Sequence, residues 1–382
     1  MPAKILNRGQ RCEEFKMVKP LLAALFTIIL CGSLAAQSRP QSKSSPDSSL
    51  VRRQQGDPQR GSADKDRPFS LDSINDVLWW LPEDTETVSV VRGPFKLDAL
   101  DSEPTDDMPG LERVDLTLRM APLGVLQIIK KGRFYKTLIG RNLLFSVEGS
   151  RKFRSPANLG SMLYEGCQII ILQQGLGPAR DTIVREMTSN AKQVEVVAGQ
   201  PVMAFEEKLE EDTWKFFVAI PVPNILIFGT NQDFLTQVLK RMHQKGQKRA
   251  LPEDLPEWKH VKTGAKFWAV RHYDKDDAQE DPSSPLSGKQ MAANWPDTEA
   301  VGIVFNFDPN RSKAATIKYL SQNTEALKLF TKDHVQPGEG FKPVIRQSEA
   351  GVIEMVVSLD EPDGIPFFLL LLFSFLGHAI YI

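Results

Sequence analysis

The sequence is poor in cysteine and histidine, with three cysteines and five histidines among 382 residues. Cys12 and Cys31 lie in the N-terminal leader, so the remaining chain holds only Cys167 and cannot form an internal disulfide. Cys167 stands in the apolar run CQIIIL, which favours a buried, inert thiol. The alternative is a thiol that reacts or pairs between two chains.

Sequence motifs of known catalytic chemistry are also missing. The chain has no G-x-S-x-G, no H-E-x-x-H and no C-x-x-C. Gly175-Leu176-Gly177 follows a predicted strand, as a phosphate-binding loop would, but Arg180 stands where the third glycine of the dinucleotide fingerprint belongs. We interpret this stretch as a turn and predict no cofactor. Catalytic groups can assemble from distant positions, so the missing motifs weaken an enzyme hypothesis without removing it.

Charge of one sign is not in excess, because the formal net charge is −1. This balance gives no electrostatic reason to expect a nucleic-acid partner. The basic run Lys240–Arg249 is the strongest exception. Behind a secretion signal we interpret it as a charged helix end followed by a linker, since cations complement the carboxyl end of a helix.

The N-terminal residues 1–36 have the pattern of a leader with a secretion signal. Lys16 and Lys19 precede the apolar run Leu21–Leu30, and small residues up to Ala36 provide a cleavage site. Glu13 and Glu14 do not suit such a leader, so translation is predicted to start at Met17. Residues 37–68 offer little to bury and are predicted to form a disordered linker. We therefore expect an exported protein.

The C-terminal residues 365–382 contain no formally charged side chain. As a helix they would reach about 27 Å at 1.5 Å per residue, which is just enough to span a bilayer. The sequence thus predicts a transmembrane helix that contacts membrane lipid and holds the body outside the cytoplasm. The alternative is a C-terminal helix that packs on the sheet of the body.

The tetrapeptide Leu-Pro-Glu-Asp occurs twice, at Leu81–Asp84 and Leu251–Asp254, which we name the first and second LPED segments. A strand candidate follows each, reaching Phe95 in one case and covering Lys266–His272 in the other. The repeat predicts two related α+β halves, residues 69–250 and 251–362. Their antiparallel sheets are expected to carry helices packed on one face.

Periodicity predicts the other elements of the body. Alternating or continuous apolar residues predict strands at Gly166–Gln173, Gln193–Ala198, Val202–Lys208, Thr213–Ile220, Ile225–Phe228, Ala300–Phe307 and Gly351–Leu359. Helical spacing predicts a helix from Ser70 to Trp80, one at Pro178–Met187, one capped by Thr230 and one at Arg311–Thr331. Gly93-Pro94 is expected to end the first strand. Residues 111–147 remain open between helix and strand, and Trp79-Trp80 are interpreted as core rather than as a stacking platform.

Histidines and aspartates around the strand after the second LPED segment form the best candidate catalytic or metal site. His260 and His272 bracket this strand, and Asp274, Asp276 and Asp277 follow closely. Imidazoles and carboxylates are groups that bind metals or transfer protons. The competing interpretation is a solvated surface loop, and this spacing by itself predicts no metal.

The segment WWLPEDTETVSVVRGPF (79–95), with the leader and the tail, resembles a group of uncharacterised exported bacterial proteins. In that group the mature part opens with a W-L-P-x-D-T-E segment. The resemblance covers this stretch closely and the rest of the chain only in layout. It implies export but brings no activity and no functional residues.

Three functions are compatible with these features. The first is a membrane-anchored envelope protein, a non-enzymatic scaffold or binder of another protein or a wall polymer. The second is an exported hydrolase or metal-binding enzyme with a site between the two halves. The third is a binding module outside the cytoplasm whose tail is only a core helix.

Overall fold

The computed structural model describes residues 74–96, 110–120, 138, 140–152, 164–209, 212–244, 248–272, 300–309, 311–321, 343–361 and 364–375. Within these residues the chain is a sheet-rich α+β fold, with one antiparallel sheet of twelve strands and few helices. The predicted leader and linker, and Asp274, Asp276 and Asp277, lie outside the described residues.

Strands outnumber helices along the described part of the chain. The strands are β1 (Thr87–Lys96), β2 (Asn142–Lys152), β3 (Tyr164–Leu172), β4 (Gln193–Val197), β5 (Gln200–Leu209), β6 (Asp212–Val222), β7 (Ile225–Gly229), β8 (Phe267–His272), β9 (Ala300–Phe307), β10 (Ala314–Ser321), β11 (Val344–Glu349) and β12 (Val352–Ser358). The helices are α1 (Ile74–Trp80), α2 (Gly110–Met120), α3 (Ala179–Asn190), α4 (Gln232–Arg241) and α5 (Gly364–Phe375), with a 3₁₀ helix at Pro256–His260.

The sheet is centred on the two strands that follow the LPED segments. Its order is β11-β12-β10-β9-β8-β1-β2-β3-β7-β6-β5-β4. β1 and β8 are antiparallel neighbours, with Thr87 opposite Arg271 and Val91 opposite Phe267. The two segments therefore lead into adjacent strands in the middle of the sheet.

Both faces of the sheet are covered, because neighbouring residues on the central strands are both buried: Val90 and Val91 are 0% and 2% exposed. The face that carries Val91 and Phe267, which we name the core face, packs against α2, α3 and α5. The opposite face, which carries Val90 and Trp268 and which we name the site face, lies under α1, α4 and the 3₁₀ helix. The expectation of helices on one face is wrong, since a sheet buried on both sides needs cover on both.

The most regular sequence patterns are confirmed. The buried run at 166–173 is β3, the four meander strands are β4 to β7, and Ala300–Phe307 is β9. The helix at 178–187 is α3, which begins one residue later and extends to Asn190. The Gly175–Gly177 stretch is a turn, as interpreted, and Arg180 donates to the carbonyl oxygens of Ile220 and Pro221.

The predicted helix at Arg311–Thr331 is wrong over residues 314–321, which form β10. Ala315, Ile317 and Tyr319 alternate toward the core face, and β10 pairs with β9 on one side and β12 on the other. These tertiary pairings override the local helix propensity of a segment rich in alanine and lysine. The remaining residues of that prediction lie outside the described chain.

Three smaller expectations also need correction. Asn231, and not Thr230, caps α4, since its side chain accepts from the backbone N–H of Asp233 and Phe234. Gly93-Pro94 does not end β1, which continues to Lys96 after a register shift. A side chain at position 93 would collide with the carbonyl oxygen of Leu143, so glycine allows the two strands to stay together. Trp79 is 42% exposed and is therefore not core.

The C-terminal helix α5 packs on the core face. Phe368 and Leu372 are fully buried, and the Phe368 ring lies 4.7 Å from that of Phe307 and 5.6 Å from that of Phe305 between centroids. Among the described residues, no helix combines the length and the apolar character that crossing a bilayer requires.

Candidate functional site

The segment 249–263 forms a fixed cover over the site face. Ala250 donates its N–H to the carbonyl of Leu78 at 3.2 Å, which joins the segment to α1. On the other side, Asn306 of β9 donates to the carbonyl of His260 at 3.1 Å and accepts from the N–H of Lys262 at 2.7 Å. The segment is thus attached at both ends by hydrogen bonds.

A cavity of about 350 Å³ lies between this cover, α1 and the central strands. Its polar lining consists of Asn75, Arg92, Arg249, Glu253 and Thr263. Its apolar lining consists of Ile74, Leu78, Trp258 and Trp268. Polar and apolar side chains thus line the cavity in similar measure, and small-molecule sites likewise combine apolar surface with convergent polar groups.

Arg249 is the most deeply buried charged group of the cavity lining. Its side chain is 7% exposed, its guanidinium lies 4.5 Å from the centroid of the Trp258 ring, and Nη1 donates to Glu253 Oε1 at 2.7 Å. The Glu253 side chain is 72% exposed, so this partner stays in water. Burial lowers the pKa of Arg249, and Glu253 offsets part of this effect. The Nε–H is buried without a hydrogen-bond partner among the described residues.

Two indole rings form the aromatic wall of the cavity. Trp258 and Trp268 meet edge to face, with centroids 5.9 Å apart and planes at 76°. Trp258 donates its indole N–H to the carbonyl of Pro252 at 2.8 Å, which fixes its ring against the second LPED segment. The indole N–H of Trp268 is buried and has no partner in the described part of the chain.

A buried carboxylate and a histidine pair lie further along the same cover. Glu257 is fully buried, and its Oε1 lies 2.7 Å from Nδ1 of His272 at the end of β8. The Glu257 carboxylate occupies the space that a side chain at Gly302 would need. Its Oε2 has no hydrogen-bond partner within the described residues. A carboxylate that orients an imidazole is one component of proton-transfer sites.

His260 has a different environment from His272. Its Nδ1 lies 3.3 Å from Nζ of Lys318 and 3.5 Å from Oε1 of Glu349. Burial, and then the Lys318 charge, lowers its pKa from the ordinary 6.5. His260 thus lies on the cover and His272 at the end of β8, and their nearest partners differ. No group of three histidine, cysteine or acidic residues suited to a metal occurs within the described residues.

Cys167 on β3 is buried as a free thiol. Burial, with a smaller contribution from the Glu148 carboxylate, raises the pKa of this thiol above its ordinary value. A thiol that stays protonated is a poor nucleophile and metal ligand, so the inert interpretation is supported.

The residues that define the cavity are not candidates in the sequence. The basic-run interpretation puts Arg249 in a linker, and Trp258, Trp268 and Arg92 carry no predicted role. The one available signal is the density of tryptophan and arginine around the second LPED segment, since both residue types are enriched at binding sites. That signal does not say which of these side chains meet.

Comparison with known proteins gives no family assignment: no protein-family model, curated protein or solved structure matches the chain. The resemblance to exported proteins with a W-L-P-x-D-T-E segment stays a prediction.

Proposed function

We propose that this chain is an exported, non-enzymatic envelope protein that binds a small ligand, or the end group of a wall polymer or protein, in the cavity under segment 249–263. The observation that carries the proposal is the cavity itself. Its volume of about 350 Å³ falls in the range of ligand sites, and a buried guanidinium and two indoles line it. The secretion signal and the linker support a position outside the cytoplasm.

The proposal includes two related halves, residues 69–250 and 251–362. In support, an LPED segment precedes the first strand of each half, and these strands, β1 and β8, are neighbours at the centre of the sheet. Each half continues outward through two more strands, after which its last strand pairs with the third: β7 with β3, and β12 with β10. The cavity then lies where the second LPED segment meets α1 of the first half.

A direct test measures ligand binding by the full-length chain. We would record the thermal stability of the protein against a panel of small acids, sugars and amines, and measure the affinity of each stabilising compound. Asn75→Trp on α1 places a large ring in the cavity, and Asn190→Trp on α3 is the matched control on an exposed helix position. We expect Asn75→Trp to weaken binding at least about tenfold while the control leaves it unchanged. A panel without any binder, or binding that ignores Asn75→Trp, would contradict the proposal.

The second candidate function is an exported hydrolase, favoured by the Glu257–His272 pair. Its test is turnover of ester, amide and glycoside substrates by the full chain. Activity that is lost in His272→Asn, and retained in His243→Asn at an exposed position, would favour the enzyme. Equal activity in both variants would remove His272 from consideration.

The predicted membrane anchor at 365–382 is a separate proposal. Its apolar sequence supports it, while the burial of Phe368 and Leu372 supports the alternative of a core helix. Alkaline extraction of membranes from cells that express the full chain separates the two, with a chain stopped after Pro362 as the comparison. An anchor keeps only the full chain in the membrane pellet.

A further inference from the structure

We infer that the cavity recognises a small organic carboxylate and that Arg249 is the residue that binds the carboxylate group. This inference rests on the proposed function and adds the chemical class of the ligand.

Two of the polar atoms in the cavity lining lack a hydrogen-bond partner within the described part of the chain, and both of them are donors. They are Nε of Arg249 and Nε1 of Trp268, and both are buried without a partner among the described residues. An indole N–H and a guanidinium donate and never accept. A buried donor without an acceptor costs free energy. A ligand that supplies acceptor oxygens at this place removes that cost, whereas a ligand that supplies donors does not.

The charges of the lining favour an anion over a neutral acceptor. Arg249 is cationic and only 7% exposed, so an anion in the cavity would meet a charge that water screens little. The Glu253 carboxylate is mostly in water and bonds to Nη1, which leaves the Nε side of the guanidinium to the ligand. Hydrogen bonds between an arginine and a carboxylate are stronger than those between neutral groups, and more so away from water.

The remaining lining selects an organic acid over an inorganic anion. Ile74, Leu78 and the two indoles provide apolar surface that phosphate or sulfate cannot use. The volume of about 350 Å³ equals that of roughly a dozen water molecules, which is more room than a bare oxyanion fills. We therefore expect a carboxylate joined to one apolar or sugar ring.

The test uses matched pairs of an acid and a neutral analogue on the full-length chain. Benzoate is paired with benzyl alcohol and glucuronate with glucose, and inorganic phosphate is the third anion. Affinities are measured by calorimetry and by quenching of tryptophan fluorescence. We expect at least one acid to bind about tenfold or more tightly than its neutral analogue, and phosphate to bind more weakly than that acid. The pair with the larger difference in affinity between acid and neutral analogue shows whether the cavity prefers an apolar ring or a sugar ring.

Two variants change the affinity for the acid in opposite directions. Arg249→Gln should weaken it about tenfold or more and leave the neutral analogue unchanged. Glu253→Gln removes a competing carboxylate at a mostly exposed position, so the acid should bind a few-fold more tightly. Arg311→Gln, whose side chain is 79% exposed on the β9–β10 connection, is the control that should change nothing.

The results separate this inference from the proposed function. Neutral analogues that bind as tightly as the acids, and that Asn75→Trp displaces, would overturn the carboxylate and leave a binding cavity. Phosphate that binds as tightly as the best acid would overturn the organic class. The absence of any ligand sensitive to Asn75→Trp would contradict both.

Discussion

The two LPED segments form the same turn, and each lies beside a buried arginine that stacks on an aromatic ring. The carbonyl of Pro82 accepts from the N–H of Thr85 at 3.1 Å, and the carbonyl of Pro252 accepts from that of Leu255 at 3.2 Å. Arg151 lies 5.1 Å from the Phe234 ring in the first half. Arg249 lies 4.5 Å from the Trp258 ring in the second.

The two arginines differ in how completely their donors are paired. Arg151 binds both oxygens of Asp84 at 2.6 Å and also Glu165, whose side chain is 10% exposed. Burial lowers the pKa of Arg151, but the hydrogen bonds that it donates to Asp84 and Glu165, together with the charges of both carboxylates, outweigh burial, and the pKa is raised. Arg249 has one exposed carboxylate, and its pKa is lowered by burial. The same tetrapeptide thus accompanies an arginine held by two carboxylates in one half and an arginine with an unused donor in the other.

Replacing each of these arginines by alanine is expected to give the largest difference in free energy of unfolding between the two halves. Arg151→Ala leaves the buried Glu165 carboxylate without its cation, which should cost about 3–5 kcal/mol in free energy of unfolding. Arg249→Ala leaves only an exposed carboxylate, so its cost should be about 1 kcal/mol, mainly from lost contact with Trp258. Urea unfolding of the two full-length variants measures both values.

The paired variants Arg151→Met and Arg249→Met provide the control, since methionine keeps part of the packing and removes the charge. If Arg249→Ala destabilises as strongly as Arg151→Ala, then Arg249 is also a structural ion pair. Its role in ligand binding would then lose its main support.

Part of this fold follows from the sequence because local pattern and burial agree. Val301, Ile303, Phe305 and Phe307 are apolar at every second position, and β9 has the predicted bounds. β10 contains a similar alternation at Ile317 and Tyr319, but alanine and lysine around it also favour a helix. The choice is made by pairing on both sides of β10. β9 is near in the chain, but β12 begins only at Val352, too far along for a local window to include it.

The candidate site is less predictable than the sheet. The sequence indicated His272 because histidine is a rare and reactive residue, but it did not identify Glu257 as its buried partner. The cavity is the space between α1 and segment 249–263, and Trp268 of β8 closes it on the side of the sheet. Residues separated by more than 170 positions come together there, and the space between them is a property of packing, which periodicity does not encode.

The second comparison concerns the helices that follow the last strand of each half, α4 after β7 and α5 after β12. Phe234 of α4 and Phe368 of α5 are both fully buried, on opposite faces of the sheet. Each substitution to alanine should cost about 3 kcal/mol in free energy of unfolding, because it leaves a cavity in packed core. Urea unfolding of the full-length variants is the measurement. A Phe368→Ala variant as stable as the wild type would indicate that α5 is not part of the core, which would favour the membrane anchor.

The smallest expected effect concerns pH and belongs to the second half, where His260 follows the second LPED segment. Burial and the Lys318 charge lower the pKa of His260 below the 6.5 of the unfolded chain. Below pH 6.5 the unfolded state therefore binds more protons than the native state, and stability must fall as the pH decreases toward the native pKa. As the pH rises above 7 the imidazole becomes neutral in both states and the effect fades.

Replacing His260 with glutamine should remove this contribution. The wild type and His260→Gln are expected to lose stability differently between pH 6.5 and the native pKa, with the shallower loss in the variant, and to run in parallel above pH 7. The carboxylates titrate in both proteins, so the difference between the two curves isolates the imidazole. His243→Gln at an exposed position is the matched control and should follow the wild type. A difference of the opposite sign would mean that Glu349, which lies 3.5 Å away, dominates over burial and Lys318. The cover would then hold a charged histidine close to the Glu257–His272 pair.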